Sequence, residues 1–183
     1  MAATRLHLPA ALTHFGPVPD ASWAALFLAG FYLRRWSAWA FPLFMIVAVG
    51  VDYAVIHGQG IDFWQHYCVS AAYWFLLPAY AALWAGGALL AGFAARLSTG
   101  QLLLAGAGLL LAAVALCHLL SQGSFYWISD SVPQRSLAGW AQNYADWFLP
   151  FLRTTAVYVS LAVIAHTLAV QIARLAHAPR AAG

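Results

Sequence analysis

Four long apolar runs constrain the fold of this chain more than any other feature. They cover about residues 37–56, 67–95, 101–121 and 147–173, and short polar or arginine-containing segments separate them. A bilayer core about 30 Å thick is crossed by roughly 20 apolar residues in a helix. With 64% hydrophobic and only 7% charged residues, the chain has too little charge to cover the surface of a water-soluble domain. The sequence therefore predicts an integral membrane protein.

A fifth apolar run, Ala21–Leu33, is shorter than the other four and follows two prolines. It spans a membrane only with help from the preceding chain or as a partly re-entrant helix. We therefore predict an all-α bundle of roughly five to six transmembrane helices, formed as one domain over residues 1–183. Residues 1–20 are expected to form an irregular or partial helix, and residues 121–146 a long outer segment.

The charged residues indicate how the bundle is oriented. They are all arginine or aspartate, in no run that would hold nucleic acid. By the positive-inside rule, the connections that carry arginines lie on the cytoplasmic side. The aspartates, most histidines and three further arginines then fall at the outer side, where polar chemistry is concentrated. The cytoplasmic arginines are Arg34, Arg35, Arg96, Arg174 and Arg180, and the aspartates are Asp20, Asp52, Asp62, Asp130 and Asp146.

Small residues mark the places where helices are expected to pack closely. Ala21, Ala25 and Ala29 recur every fourth residue along the short fifth run. Small residues let membrane helices approach, because lipid provides no hydrophobic drive for them to associate. The stripe is therefore read either as a packing face within the bundle or as a face on which a partner subunit docks.

The usual motifs of soluble enzymes are missing from the sequence. It contains no glycine-rich phosphate loop, no GxSxG elbow, no HExxH pair and no paired carboxylates at catalytic spacing. Histidines in or beside the spans suggest a different class, a membrane haem or redox protein that uses His57, His66 and His118. However, no two of these histidines are four residues apart on one predicted helix.

The densest polar and aromatic stretch runs from Asp52 through Cys68 and Tyr73 to Trp84. Cys68 is expected near the start of a helix, where the helix dipole favours its thiolate. A thiolate there suits a soft or borderline metal centre. The alternative is that a lone cysteine in an apolar segment is a small hydrophobic residue, and Cys117 fits this description better.

The outer segment 121–146 is rich in amides, hydroxyls and aromatic rings, including Tyr126, and it also contains Arg135. It is read either as an interfacial aromatic belt or as a pocket for a large, amide-rich, partly apolar ligand. Arg153 lies inside the last run, where an unpaired cation is costly, so we expect it to pair with an aspartate or a ligand oxygen.

The run from Pro19 to Leu33, with its alanines at every fourth position, resembles the first-helix AxxxA signature of S-components of energy-coupling-factor (ECF) vitamin transporters. Together with Asp52, with Cys68 followed five residues later by Tyr73, and with the Leu77–Tyr80 stretch, the chain resembles the BtuM-type cobalamin transporters. The resemblance covers most of the chain between Pro19 and Ala173.

The resemblance implies an S-component fold in the bacterial inner membrane that binds cobalamin on the periplasmic side. It implies that the Cys68 thiolate coordinates cobalt, with removal of the upper cyanide ligand as an accompanying activity, and that Tyr73 and Asp52 accompany it. The arginine of the site is either Arg135 or Arg153. Further candidates are Tyr126, His7 and His14, and an ECF energising module would dock on the alanine stripe. A carrier for another small molecule, with Cys68 only structural, is the alternative.

Overall fold

The computed structural model describes residues 20–177. Within this range all regular structure is helical, with five α-helices and three short 3-10 helices and no strand. The α-helices are α1 (Ser22–Tyr32), α2 (Ser37–Gly58), α3 (Leu76–Phe93), α4 (Thr99–Ile128) and α5 (Leu137–His177). The all-helical class predicted from the sequence is confirmed.

Four helical segments in the described part of the chain are long and apolar enough to cross a membrane. They are Arg34–Gly58, Ala71–Phe93, Thr99–Ile128 and Leu137–Ala176, and they correspond to the four long runs of the sequence. The fifth run forms α1, which has only 11 residues and is about 16 Å long, too short to cross a bilayer unaided. A sixth helix would need the first 19 residues, which lie outside the described range.

The short helix α1 lies at the centre of the bundle rather than at its surface. Trp23, Leu26 and Phe27 are buried in one hydrophobic core with residues of α3 and α4, including Leu83 and Val114. At its closest points to α3, Gly30 of α1 lies against the backbone of Trp84, and Gly87 of α3 lies against the backbone of Phe27. Membrane helices associate through such van der Waals contacts between closely approaching backbones, so α1 is held by packing rather than by length.

Helix α2 is joined to this core mainly through Trp84 of α3. The Trp84 indole donates a hydrogen bond of 2.8 Å to the Ser37 hydroxyl at the start of α2, and its ring meets Phe41 and Phe44 edge-on. Most of the remaining α2 surface is exposed in the isolated chain. These contacts fix the start of α2, so that its far end projects towards the connection with α3.

That connection, residues 59–75, is not one continuous helix. Gly60 has a positive φ of 75°, a conformation that favours glycine, and it turns the chain at the end of α2. Asp62 accepts the Trp64 N–H at 2.8 Å and starts a 3-10 turn. Ser70 accepts the Ala72 N–H at 3.3 Å and starts the next one. Residues 66–70 between these turns are therefore held as an ordered, non-helical segment.

Helices α4 and α5 reach further into the predicted outer segment 121–146 than the sequence suggested. Helix α4 starts at a capping box formed by Ser98 and Gln101 and continues to Ile128, and α5 already begins at Leu137. Only residues 129–136 form the connection between them. Amides and hydroxyls in this region pair across the two helices, as Gln122 does with Asn143 at 2.6 Å, and this pairing lets polar residues continue the helices.

Candidate functional site

A cavity of about 710 Å³ lies at the end of the bundle where α2 meets α3. It is lined by the last turns of α2, the connection from α2 to α3, the C-terminal part of α4 and Asp20, which lies two residues before α1. Its volume falls within the range of about 300–1,000 Å³ that is usual for small-molecule and cofactor sites. The lining residues are Asp20, Asp52, Val55, Ile56, Gln59, His66, Tyr67, Cys68, Ala72, Tyr73, Leu76, Ser121 and Phe125.

Three residues singled out in the sequence, Asp52, Cys68 and Tyr73, line this single cavity. The Tyr73 hydroxyl donates a hydrogen bond of 2.9 Å to the Asp52 carboxylate. The bond joins α2 to the 3-10 turn before α3, which brings the two sides of the cavity together. The edge of the Tyr73 ring also meets Phe63, at 6.1 Å between centroids, so its position is fixed by packing as well as by the hydrogen bond.

Cys68 does not lie at a helix start, which corrects the sequence-based expectation. It sits in the non-helical segment, before the 3-10 turn Ala71–Phe75 and well before α3. The helix does not extend back to Cys68 because Ser70 caps the 3-10 turn and His66 accepts the Cys68 backbone N–H through Nδ1 at 3.3 Å. The side chain is half-buried and lines the cavity.

Burial raises the pKa of the Cys68 thiol above its ordinary value. A hydrogen bond from the Tyr67 side chain lowers this pKa, and the negative charge of Asp52 raises it further. The same hydrogen bond to Cys68 is the main reason why the pKa of Tyr67 is raised. Cys68 is therefore a neutral thiol near neutral pH.

Aromatic rings form much of the cavity wall beside the sulfur. The Tyr67 ring lies 4.5 Å from the His66 ring, and its edge meets Phe125 of α4 at 6.4 Å between centroids. Broad ring surfaces combined with a few polar groups are typical of pockets that hold a large, partly apolar ligand. The outer part of α4 contributes Ser121 and Phe125 to this wall, so part of the predicted outer segment does reach the site.

The remaining predicted site residues lie elsewhere or outside the described range. Arg135 donates a hydrogen bond of 2.7 Å to the Ser129 carbonyl and thereby closes the connection from α4 to α5. The buried Tyr126 hydroxyl accepts the Ser136 N–H at 3.2 Å in the same connection. Neither residue lines the cavity. His7 and His14 belong to residues 1–19, which the structure does not describe.

Arg153 is separated from this cavity along α5. It lines a second cavity of about 1010 Å³ whose wall, among the described residues, comes from α5 alone. Near the start of α5, the backbone carbonyl of Tyr144 lies next to the His118 ring of α4. Arg153 is about 13 Å further along the helix, away from the outer end of α4. Neither arginine proposed for the site therefore reaches Cys68 in this conformation.

The histidines of the haem alternative are held by separate partners. His118 is buried against Tyr144, and its Nε2 lies 3.1 Å from the Tyr144 carbonyl oxygen. His57 stacks on Tyr53, and His66 lies on Tyr67. Among residues 20–177, no group of three histidine, cysteine or acidic side chains is placed to hold a metal ion. The haem alternative stays a prediction.

Two further expectations concern Cys117 and the alanine stripe. Cys117 is fully buried in the core, as expected for a cysteine that acts as a small hydrophobic residue. Ala29 is also part of the core, whereas Ala21 and Ala25 are half-buried. The stripe thus contributes to packing within the chain, and docking of a partner on it stays a prediction.

Sequence reasoning assigned no binding role to Asp20 or Tyr67, which line the cavity. It named His66 only for the haem alternative, and it included Ser121 and Phe125 only as part of the segment 121–146. For His66 and Tyr67 the signal was present, since both directly precede Cys68. Asp20 and Ser121 reach the site only through the packing of α1 and α4, which no short motif encodes. No protein-family model matches the sequence, and no curated protein is similar enough to it to count as a relative.

Proposed function

We propose that this chain is a cobalamin uptake protein of the bacterial inner membrane, an S-component-like protein of the BtuM type. The observation that carries the proposal is that Cys68, Asp52 and Tyr73, which come from separate elements, line one cavity with aromatic walls. This arrangement supports a large ligand that combines flat apolar surface with polar groups and a metal. The cavity is open at the protein surface, so a ligand larger than its volume can protrude from it.

Cobalamin suits a protein that offers one metal ligand rather than a cluster. The corrin ring itself supplies the equatorial nitrogen ligands of cobalt, so the protein needs to provide only an axial one. A thiolate is a suitable donor for a borderline metal. Cys68 provides this donor from the cavity wall, and burial keeps it protonated until the metal arrives. Binding then releases a proton, and the thiolate replaces the intramolecular base of cobalamin.

The first test is the spectrum of the purified protein with cobalamin and with its Cys68→Ala variant. We expect the native protein to shift the corrinoid absorption spectrum and the variant to leave it unshifted. Mutating a residue that only supports a metal ligand typically costs about 10- to 100-fold in affinity, so loss of the ligand should cost at least that. Cys117→Ala is the matched control, because Cys117 lies outside the cavity in the core. It should keep the shifted spectrum, with some loss of thermal stability.

An unshifted spectrum in the native protein, or a shifted one in Cys68→Ala, contradicts thiolate coordination. If cobalamin binds tightly with no spectral change, Cys68 is structural, and if cobalamin does not bind, the carrier serves another small molecule. The second test is rescue of a cobalamin-dependent auxotroph that lacks its own inner-membrane importer. Growth at low cobalamin supports uptake, and absence of growth despite stable expression contradicts it. Repeating the assay with and without an ECF module identifies the energy source.

A further inference from the structure

The His66 ring has its two nitrogens in different situations. Nδ1 lies 3.3 Å from the Cys68 backbone nitrogen and accepts its N–H. In a neutral imidazole one nitrogen accepts and the other carries the hydrogen. The bond to Cys68 therefore places the hydrogen on Nε2. Among residues 20–177 there is no hydrogen-bond partner on the Nε2 side, while His66 itself lines the cavity.

This tautomer makes His66 a hydrogen-bond donor and unsuitable as a metal ligand. Coordination through Nε2 would require the hydrogen to move to Nδ1, where it would face the Cys68 N–H, so that two donors would meet. The cost of such a clash is the loss of the bond that holds the Cys68 backbone. The arrangement therefore assigns the metal to the sulfur and leaves His66 to bind a neighbouring acceptor.

We propose that His66 is a ligand-specificity residue, which holds the Cys68 backbone through Nδ1 and donates Nε2–H to an acceptor oxygen of the ligand. The inference rests on the proposed function and deepens it, because it states what the ligand must present beside the coordinated metal. A side-chain amide carbonyl of the corrin periphery has this chemistry. The contact with the Tyr67 ring, at 4.5 Å, restricts rotation of the imidazole and keeps the donor directed.

Two substitutions separate the two functions of the ring. In His66→Asn the amide oxygen occupies a place similar to Nδ1, so it can still accept the Cys68 N–H while the Nε2 donor is lost. In His66→Gln the amide reaches as far as Nε2 and can still donate, but the local acceptor for Cys68 is lost. His57→Asn is the control, because His57 stacks on Tyr53 at the end of α2 and does not line the cavity.

The measurements are the equilibrium affinity for cobalamin and the spectrum of the bound corrinoid, on the full chain in detergent. We expect His66→Asn to keep the thiolate spectrum and to lose about fivefold in affinity, as for one hydrogen bond to a neutral acceptor. His66→Gln should keep more of the affinity and show a weakened thiolate signature. His57→Asn should match the native protein in both. Thermal melting identifies any variant that is merely unfolded, and His66→Ala then serves as a second test of affinity.

Native affinity in both His66→Asn and His66→Ala overturns the inference, even where the native protein binds cobalamin as proposed. Loss of the thiolate spectrum in His66→Asn, with the fold intact, also overturns it, because the ring would then act only on the sulfur. Failure of the native protein to bind cobalamin is a different result. It rejects the proposed function, and the inference about His66 falls with it.

Discussion

The chemistry available to Cys68 is set by neighbours that act in opposite directions. Burial and the Asp52 charge raise the pKa of its thiol, and the hydrogen bond from Tyr67 lowers it. Sequence reasoning had instead expected a helix dipole to favour the Cys68 thiolate. The sulfur is therefore a protonated thiol near neutral pH. The effect of each neighbour on the Cys68 thiol can be tested separately.

Substitution of Tyr67 and Asp52 should change the reactivity of Cys68 in opposite directions. Tyr67→Phe removes the hydrogen bond that lowers the Cys68 pKa, so less thiolate is present at a given pH and alkylation becomes slower. Asp52→Asn removes the charge that raises the pKa, so alkylation becomes faster, while the Asn oxygen still accepts from Tyr73. The measurement is the alkylation rate by a water-soluble haloacetamide as a function of pH, followed by mass spectrometry of the folded protein.

In both variants the rate should still rise with pH, with the midpoint moved upward for Tyr67→Phe and downward for Asp52→Asn. Cys117 is fully buried and serves as an internal control that should remain unmodified. Two midpoints displaced in the same direction would show that the substitutions act by changing access to the sulfur. The charge and hydrogen-bond explanation would then be wrong.

Among the elements, α1 is packed against α3 through close contacts between the two backbones at Gly30 and Gly87. A Cβ atom on Gly87 of α3 would collide with the Phe27 carbonyl oxygen of α1 and lie 2.8 Å from the Phe31 nitrogen. Backbone atoms cannot move aside as a flexible side chain can. Gly87→Ala is therefore expected to push α1 away from α3 and to cost about 1–3 kcal/mol or more of stability. The measurement is the thermal unfolding midpoint in detergent.

Gly108→Ala in α4 is the control for that substitution, because a Cβ there has no atom within 4 Å. Alanine is the better helix former, so this variant should be as stable as the native protein or slightly more stable. Equal midpoints for the two variants would mean that α1 and α3 do not meet as closely as described. Since Asp20 lies two residues before the first residue of α1 and lines the cavity, Gly87→Ala should also weaken ligand binding.

The long helices could be predicted from the sequence because each apolar run meets the length that a bilayer demands. The ends of these helices could not be predicted from the sequence. The run 67–95 contains no charge to mark where the helix begins, and the start of α3 at Leu76 depends on the local bonds made by His66 and Ser70. Helix α4 likewise continues through Gln122, whose side-chain nitrogen donates a hydrogen bond to Asn143 of α5, a contact between residues that are distant in sequence.

At the scale of the whole molecule, part of the site could be predicted and part could not. Asp52, Cys68 and Tyr73 stood out as polar residues beside apolar runs, and the fold brings them to one cavity. Arg153 stood out for the same reason, yet it lies elsewhere on α5. Charge in an apolar run marks a residue that needs a partner, but which partner it meets depends on helix register, and a single sequence does not encode register in any local pattern.

The cavity and the arginine-rich connections lie at opposite ends of the bundle, which leads to a prediction about orientation. Cys68 belongs to the connection from α2 to α3, whereas Arg34, Arg35 and Arg96 belong to the connections at the other end. By the positive-inside rule the arginines face the cytoplasm. In intact spheroplasts, a membrane-impermeant maleimide should therefore label Cys68. A second protein carries Cys68→Ala together with Gly100→Cys, at an exposed site near the start of α4. The maleimide should not label the cysteine at position 100 in this protein.

Permeabilising the membrane should make the Gly100→Cys site reactive, which shows that orientation rather than burial protected it. Bound cobalamin should slow labelling of Cys68 in the native protein, because Cys68 lines the cavity. If the Gly100→Cys variant is labelled before permeabilisation and Cys68 of the native protein is not, the orientation is the reverse of the predicted one. The cavity would then open to the cytoplasm, and a protein that collects its ligand from outside the cell could not work in that direction.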